Sequence, residues 1–253
     1  MTPAEVTGLR PGMPADLGTG IRYLITDRNG GASKPPFASL NLARAVGDDP
    51  SDVAANLAVA AGWCGLQPGD IAWMRQVHSA VVRYADASWP ESEPEACDAV
   101  FTDVPGLALG VQVADCVPVL LADPGARLAG VAHSGREGMR AGVVTALVAA
   151  MTAAGGAPER MQAVVGPAIC GQCYEVPPAM RAEVSSVVPE ASSVTRTGTA
   201  GLDIAAGVRA QLAAAGVGTV SSDGRCTMES AELFSYRREG RTGRFAGLVW
   251  LER

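Results

Sequence analysis

Three residues with metal-binding side chains lie at comparable places along this chain. His78, Cys116 and His133 each fall within two residues of the downstream end of a short apolar segment. Such segments predict strands, and loops at the ends of neighbouring strands converge on a rigid scaffold. Two imidazoles and one thiolate are donors that zinc binds, and three protein ligands leave a fourth position for water or substrate. The pattern therefore predicts a catalytic zinc site.

Other interpretations of the same residues are open on spacing alone. The separations of 38 and 17 residues match no short-range zinc motif. A histidine at a strand end also caps the strand or faces solvent, and a buried cysteine serves as a small apolar side chain. A thiolate near a histidine is a nucleophile even without a metal. Ser134 follows His133, but the sequence has no third histidine to act as the base of a serine hydrolase.

Polar residues near these segments are candidates for catalysis or substrate contact. Asp115, beside Cys116, is the carboxylate that we expect to orient a ligand or accept a proton, with turn capping as the alternative. Arg237, Arg238 and Arg244 are candidates for holding phosphate, because guanidinium groups match phosphate geometry. Ion pairs at the surface are the alternative for these arginines.

A CxxC pair, Cys170 and Cys173, also has redox or metal-binding character. The sequence has no second CxxC and no spare histidine to complete a zinc knuckle. The pair follows Gly166 and Pro167, which favour a turn over the strand-to-helix setting of a redox motif. We therefore expect a structural or incidental role for both cysteines.

The elements that must position these residues follow an irregular order. Apolar, β-branched segments predict strands at residues 21–26, 71–77, 81–85, 99–102, 107–114, 117–122, 128–132, 161–165 and 245–251. Start and stop signals predict helices at residues 137–154, 178–187 and 202–215, and one ending at residue 61 that Ser51 or Asp52 caps. Because strands and helices do not alternate regularly, the order predicts an α+β fold with mixed central sheets and flanking helices.

Composition and charge limit the classes of protein. About half of the 253 residues are apolar (48%), which is enough for a substantial core. Residues 1–20, rich in proline and glycine, predict a loose leader, and residues 21–253 predict a single catalytic domain. The formal net charge of −6 argues against a nucleic-acid partner, since no surplus of cations exists to neutralise phosphates.

The sequence also predicts a location. No basic segment followed by an apolar one begins the chain, so we expect no signal peptide. The longest mostly apolar stretch, residues 141–154, is too short to span a bilayer, so we expect no membrane partner. Six dispersed cysteines favour a reducing compartment, and the prediction is the cytoplasm.

From Ile25 onward the chain carries a set of motifs in the order of a known family. They lie at residues 26–33, 36–42, 46–49, 76–78, 98–103, 114–119, 132–135, 166–169, 173–176, 226–227, 234–238 and 242–244. By this ordered set the chain resembles the laccase-domain, or multicopper polyphenol oxidase-like, family. Members of that family are understood as zinc-dependent purine nucleoside-processing enzymes, and one bacterial branch is linked to peptidoglycan editing.

The resemblance implies a fold, an activity and site residues. The implied fold is that of the cytotoxic necrotizing factor-like cysteine hydrolases. The implied catalytic residues are Cys116, His133 and Asp115. The implied metal ligands are His78, Cys116 and His133, with zinc as the metal and copper as a less favoured alternative. The expected substrate contacts are Asn41, Gln76, Arg136 and Arg237.

The activity implied by the resemblance is phosphorolysis of adenosine, inosine, guanosine and methylthioadenosine, with adenosine deaminase activity in addition. The partners would be a small nucleoside and inorganic phosphate, bound by a monomer or homodimer. One alternative is a copper-dependent polyphenol oxidase. Such enzymes bind several copper ions through many more histidines than the two in this chain, so this alternative is less favoured. Another is a hydrolase with Cys116 as nucleophile, acting on a peptidoglycan precursor.

Three departures from the family pattern concern substrate contacts. The chain reads Arg136-Glu137 where the family commonly has Trp-Arg, Val113 where it often has Thr, and Asn56-Leu57 where an Asn-Arg pair is expected. None of these positions is a predicted metal ligand, so the departures bear on which nucleoside is preferred.

Overall fold

The computed structural model describes residues 13–90 and 94–253, together with the backbone of Ala4–Glu5. Its strands are β1 (Ala4–Glu5), β2 (Ala15–Asp16), β3 (Ile21–Ile25), β4 (Ile71–Trp73), β5 (Val82–Tyr84), β6 (Ala99–Thr102), β7 (Ala108–Val113), β8 (Val117–Asp123), β9 (Leu128–Ser134), β10 (Gln162–Val165), β11 (Ser192–Val194), β12 (Ala200–Leu202), β13 (Thr219–Ser222) and β14 (Phe245–Leu251). Its α-helices are α1 (Pro50–Trp63), α2 (Arg136–Arg140), α3 (Val143–Ala153), α4 (Pro178–Val187), α5 (Ile204–Ala214) and α6 (Tyr236–Glu239).

Two mixed sheets form the centre of the fold. The larger has the strand order β1-β13-β10-β8-β9-β6-β5, and the smaller has the order β2-β3-β14-β7-β4. Strands β11 and β12 form a separate antiparallel pair. Parallel and antiparallel neighbours occur in both large sheets. The mixed sheets and the irregular order of helices confirm the α+β class; the finer likeness to the cysteine hydrolase fold stays a prediction.

The two sheets pack face to face, with helices on both outer surfaces. Along β8, Val119 and Leu121 face the helical layer that contains α3 and α5, whereas Leu120 faces the smaller sheet. Along β14, Val249 faces the larger sheet and Leu248 faces the side covered by α1. Alternation of side chains along a strand produces this division. Because both faces of these strands are buried, their sequences are apolar throughout, except for Asp123 at the end of β8.

Several predicted elements are confirmed and others are corrected. The strand at residues 99–102, the helix at 178–187 and the strand at 245–251 have the predicted bounds. The single helix predicted at residues 137–154 is wrong, because Gly142, with φ of 79°, breaks it into α2 and α3. The predicted caps of α1 are also wrong, since Asp49 accepts the N–H of Ser51.

The strand predicted at residues 71–77 ends at Trp73, and the short strands β2, β11, β12 and β13 were not predicted. Within the predicted leader, β2 pairs with β3 and Leu17 is buried. The assignment of residues 1–20 and 21–253 to a leader and one catalytic domain stays a prediction. In the part of the chain that is described, no helix is long and apolar enough to cross a bilayer.

Among the described residues, the chain passes between the two sheets three times at the same end of the sandwich, and two of these crossings carry triad residues. One crossing joins β4 to β5 and contains His78; the other joins β7 to β8 and contains Cys116. The antiparallel register of β8 and β9 places Pro118 opposite His133. His78, Cys116 and His133, which are distant in sequence, therefore lie together at one end of the sandwich.

Candidate metal centre and its cavity

His78, Cys116 and His133 meet as the sequence predicts. One ligand atom from each lies within 4.8 Å of the others, and the Sγ of Cys116 is 3.9 Å from Nε2 of His78. The two imidazole rings meet edge to face, with centroids 4.7 Å apart. His133 is buried, Cys116 is half-buried and His78 is exposed. The triad is therefore anchored in the core on one side and accessible on the other.

The loop that carries His78 is held by a buried carboxylate. Asp98 accepts the backbone N–H groups of Val77, His78 and Ser79, and also the hydroxyl of Ser79. His78 has a φ of 61°, a left-handed conformation that non-glycine residues rarely adopt. The hydrogen bonds to Asp98 maintain this conformation and direct the imidazole towards Cys116.

The same carboxylate orients His133. Its Oδ1 is 2.8 Å from Nδ1 of His133, so the imidazole donates a hydrogen bond there and keeps Nε2 available as a ligand. Sequence analysis did not single out Asp98 as a functional residue. The signal was present, because an acidic residue directly before a largely apolar strand is buried only when it is paired.

Electrostatics couples the three groups. Burial opposes ionisation of Asp98, but hydrogen bonds from His133 and Ser79 hold the pKa of that carboxyl well below its usual range. Burial disfavours the Cys116 thiolate, yet His133 and His78 lower its pKa to about 6. Burial also disfavours the His133 cation, and Asp98 and Cys116 raise its pKa to about 9. In the absence of a metal, a thiolate beside an imidazolium is thus the favoured state near neutral pH.

Gly135 lets the three ligands approach one another. A Cβ added at this position would lie 2.8 Å from Cδ2 of His78 and 3.0 Å from Sγ of Cys116. Only glycine leaves this space free. The close spacing of the ligand atoms, their donor types and the oriented His133 fit a zinc ion held by three protein ligands.

The triad opens into a cavity of about 820 Å³. Its lining includes five arginines, Arg44, Arg75, Arg136, Arg237 and Arg244. It also includes four aromatic residues, Trp73, Trp89, Tyr174 and Tyr236. Asp115 is the single acidic residue among the described lining residues. The cavity therefore has an excess of positive side chains, although the net charge of the chain is −6. This excess favours anionic ligands.

Arg136 and Arg237, two of the predicted substrate contacts, line this cavity, and the guanidinium group of each already contacts other protein groups. Arg136 forms an ion pair with Glu137, 2.8 Å apart, and contacts the sulfur of Met180. Arg237 donates to the carbonyl of Glu175 over 3.0 Å and lies over the ring of a cavity tyrosine. Both arginines keep donors for a ligand, since each guanidinium carries five N–H groups.

Gln76 and Asn41 are placed differently from expectation. Gln76 lines the cavity, but its amide is paired with the backbone of Gln112, donating over 2.8 Å and accepting over 2.9 Å. Asn41 is fully buried and bonds Ala43 and Asp48; its Oδ1 accepts the backbone N–H of Arg244. The structure therefore gives Asn41 no contact with the cavity and makes it a support for Arg244.

Asp115 and Arg238 are likewise tied to protein groups. Asp115 has a φ of 91°, and its carboxylate accepts the hydroxyl of Thr227 and the backbone N–H of Arg237, each over 2.6 Å. Arg238 donates to the backbone carbonyls of Thr227 and Leu233. Arg238 therefore braces the loop before α6 and is absent from the cavity lining, in contrast to Arg244.

Sequence and structure comparisons agree with this architecture. The sequence profile of the family described as multi-copper polyphenol oxidoreductase laccase matches residues 22–252. The chain is 52% identical over 237 residues to a Streptomyces coelicolor protein named purine nucleoside phosphorylase SCO2081, covering 94% of this chain and 98% of that one. It is 43% identical over 249 residues to the Mycobacterium tuberculosis protein named purine nucleoside phosphorylase Rv2149c, covering 98% and 99%.

Solved structures share the fold. Neisseria meningitidis protein NMB0706 superposes with a TM-score of 0.84 at 35% identity, covering 95% of this chain and 99% of that one. YlmD from Geobacillus stearothermophilus gives a TM-score of 0.84 at 32% identity, covering 94% of both chains. The chain therefore belongs to the multi-copper polyphenol oxidoreductase laccase family.

Proposed function

We propose that this chain is a zinc-dependent purine nucleoside phosphorylase. The observation that carries the proposal is the meeting of a His-Cys-His triad and five arginines in one cavity. The names of the relatives at 52% and 43% identity support the same activity. Its substrates would be inorganic phosphate and the nucleosides adenosine, inosine, guanosine and methylthioadenosine.

Arg244 is the strongest candidate for holding phosphate. It lines the cavity, and its guanidinium donates to the backbone carbonyls of Thr242 and Gly243, both over 2.9 Å. Burial removes water from the Arg244 guanidinium and thereby lowers its pKa. A poorly hydrated cation attracts an anion strongly. Arg136 and Arg237 supply further donors in the same cavity.

The aromatic side chains suit a purine. The Trp73 ring packs directly on Gly110, where an added Cβ would lie 2.4 Å from the ring. Trp89, Tyr174 and Tyr236 also line the cavity. Planar bases stack on such side chains. These residues provide a stacking surface although the chain lacks the tryptophan that the family commonly carries at position 136.

His78, Cys116 and His133 would hold the zinc ion. When bound, zinc supplies Lewis acidity at an open position beside the cavity. Asp98 keeps the Nδ1 proton of His133 and fixes the ring, and the arginines hold phosphate beside the sugar. In the overall reaction, phosphate oxygen bonds to the anomeric carbon, the glycosidic C–N bond breaks, and the purine leaves with its bonding pair and takes up a proton.

The direct test is phosphate-dependent release of free base. Purified protein loaded with zinc should convert inosine and phosphate to hypoxanthine and ribose 1-phosphate, and omission of phosphate should abolish the reaction. Absence of base release from all four nucleosides, under zinc-replete conditions, would contradict the proposal.

Adenosine deaminase activity is a further prediction from the family resemblance. Its expected proton carrier, Asp115, is bonded to Thr227 and to the backbone of Arg237. We therefore expect ammonia release from adenosine to be slow relative to phosphorolysis. Copper-dependent phenol oxidation is less favoured, because the described metal centre has only two imidazoles. Cytoplasmic location and a monomeric or dimeric state stay predictions.

A cysteine-nucleophile hydrolase is a second candidate, acting on a peptidoglycan precursor. The lowered pKa of Cys116 and its 3.9 Å distance to His78 favour it. Chelation and alkylation distinguish the two functions. Hydrolysis by a thiolate nucleophile would survive removal of zinc and stop after alkylation, whereas zinc-dependent phosphorolysis would stop after either treatment.

A further inference from the structure

A second cluster of metal-binding side chains lies apart from the triad. Cys170, Cys173, Cys226 and Glu229 offer three sulfurs and one carboxylate oxygen, all within 4.8 Å of one another. The Sγ of Cys173 lies 3.6 Å from Oε1 of Glu229. A Zn–S bond of about 2.3 Å places the ligand atoms of a tetrahedral site about 3.8 Å apart. The four side chains therefore need only small rotations to share one ion.

The backbone presents these ligands as two paired turns. The N–H of Cys173 donates to the carbonyl of Cys170 over 3.0 Å, and the N–H of Glu229 donates to the carbonyl of Cys226 over 3.1 Å. The turns lie side by side, because Ala168 forms a parallel bridge with Cys226 and the N–H of Cys170 is 3.4 Å from the Cys226 sulfur. Two ligand pairs, each separated by two residues, are the arrangement of structural zinc sites.

In the absence of a metal, the thiols of this cluster are poorly suited to redox catalysis. Burial and the neighbouring Cys170 and Cys226 raise the pKa of Cys173 to about 12, and burial raises the pKa of Cys226 as well. Without a metal the thiols of Cys173 and Cys226 are poor nucleophiles at neutral pH, which argues against a catalytic redox role for the CxxC pair. Arg196 contacts Glu229, and one cation does not neutralise three thiolates and a carboxylate. A divalent ion and Arg196 together would offset three of those four negative charges, and the ion would also favour deprotonation of the thiols it binds.

We propose that Cys170, Cys173, Cys226 and Glu229 form a second zinc site with a structural role. Four protein ligands leave no open position, in contrast to the three ligands of the triad. The sequence has no second CxxC and no histidine to complete a zinc knuckle, which left the pair a structural or incidental role. That expectation did not include Cys226 and Glu229 as ligands, because both are far from the CxxC pair in the sequence.

A zinc ion at this second site would stabilise the part of the cavity wall that contains Asp115. Ile169, next to Cys170, lines the cavity and donates its N–H to the carbonyl of Asp115 over 3.0 Å. Thr227, next to Cys226, donates to the carboxylate of Asp115. Both turns therefore support the residue that precedes the triad ligand Cys116. Loss of the second zinc would loosen this support without removing a triad ligand.

The test isolates the second site in a Cys116→Ala background, in which the triad lacks its thiolate. The protein is reduced, loaded with zinc under anaerobic conditions, desalted and analysed for metal. We expect one zinc per chain in Cys116→Ala, and its complete loss in Cys116→Ala/Cys173→Ser. Cys64→Ser in the same background is the control, because Cys64 belongs to neither ligand cluster.

Two further measurements cover the case in which the double variant fails to fold. Cobalt loaded into Cys116→Ala should give an intense thiolate-to-cobalt absorption, and Glu229→Gln in that background should release zinc at a lower chelator concentration. Excess chelator should also lower the melting temperature of Cys116→Ala. Failure of Cys116→Ala to retain zinc, or absence of thiolate-to-cobalt absorption, would overturn the proposal. None of these measurements depends on turnover. They can therefore fail or succeed independently of the proposed phosphorylase activity.

Discussion

The carboxylate of Asp98 lies 2.8 Å from Nδ1 of His133 and also accepts the backbone N–H of His78. One buried side chain therefore orients two of the three triad residues, His78 on the crossing from β4 to β5 and His133 in strand β9. A carboxylate behind a metal-binding histidine fixes the ring and makes it a better ligand. The candidate metal centre thus depends on a residue that is not one of its ligands.

Replacement of Asp98 tests this dependence. Asp98→Asn retains the shape of the side chain but removes the negative charge that faces His133. We expect zinc affinity at the triad to fall by about 10- to 100-fold, measured by chelator competition. Asp103→Asn is the matched control, because Asp103 bonds the exposed Tyr84 and lies outside the site. Unchanged zinc affinity in a folded Asp98→Asn protein would show that the carboxylate has no role in binding.

Gly135 should tolerate no side chain. In Gly135→Ala the new methyl group would lie within 3.0 Å of Cys116 Sγ, so the ligands must move apart. We expect loss of zinc at the triad and of phosphorolysis, with the melting temperature of the metal-free protein little changed. Gly224→Ala serves as the control, since an added Cβ there meets no atom within 4 Å. Full zinc binding by Gly135→Ala would contradict the described packing.

The reactivity of Cys116 should depend on pH in a defined way. Because neighbouring histidines lower its pKa to about 6, the thiolate is the main form above pH 6 and is lost as the pH falls below that value. In chelated protein, alkylation by iodoacetamide should therefore reach half its maximal rate near pH 6. Burial raises the pKa of Cys64 to about 12, so Cys64 should react far more slowly. A midpoint for Cys116 near the ordinary thiol value of 9 would mean that the histidines do not stabilise the thiolate.

Arg244 should contribute to phosphate binding. Loss of a charge-assisted hydrogen bond costs about 1.5–3 kcal/mol, so Arg244→Gln should raise the KM for phosphate roughly 10- to 100-fold. The KM for inosine should change much less. Arg83→Gln is the control, because Arg83 is exposed and pairs with Glu95, 3.6 Å away. Equal increases in both KM values would indicate a general distortion of the cavity.

The sequence predicted the triad from two sources, the positions of its members at strand ends and the family motifs that contain them. Strands β8 and β14 were predicted from continuous apolar runs, which are the consequence of burial on both faces. The helix break at Gly142 was missed, since the apolar pattern continues across it and only the left-handed backbone reveals the turn.

Long-range hydrogen bonding explains the remaining differences. Asn41 and Asp98 are polar residues whose roles are set by partners far away in the sequence. The local pattern marks Asp98 as a buried carboxylate that must be paired, but it does not identify His133 as the partner, and it does not show that Asn41 supports Arg244. Cys226 and Glu229 complete a ligand cluster with the CxxC pair only through the parallel bridge at Ala168. These contacts depend on how the two sheets and their loops are arranged, which a single sequence does not specify locally.

His78, Cys116 and His133 are proposed to hold a zinc ion that turnover requires. The most direct measurement compares zinc content and phosphorolysis of inosine in the native chain and in Cys116→Ala. The account predicts that the variant contains one zinc fewer per chain and loses phosphorolysis. A folded Cys116→Ala protein with the zinc content and the turnover of the native chain would contradict it.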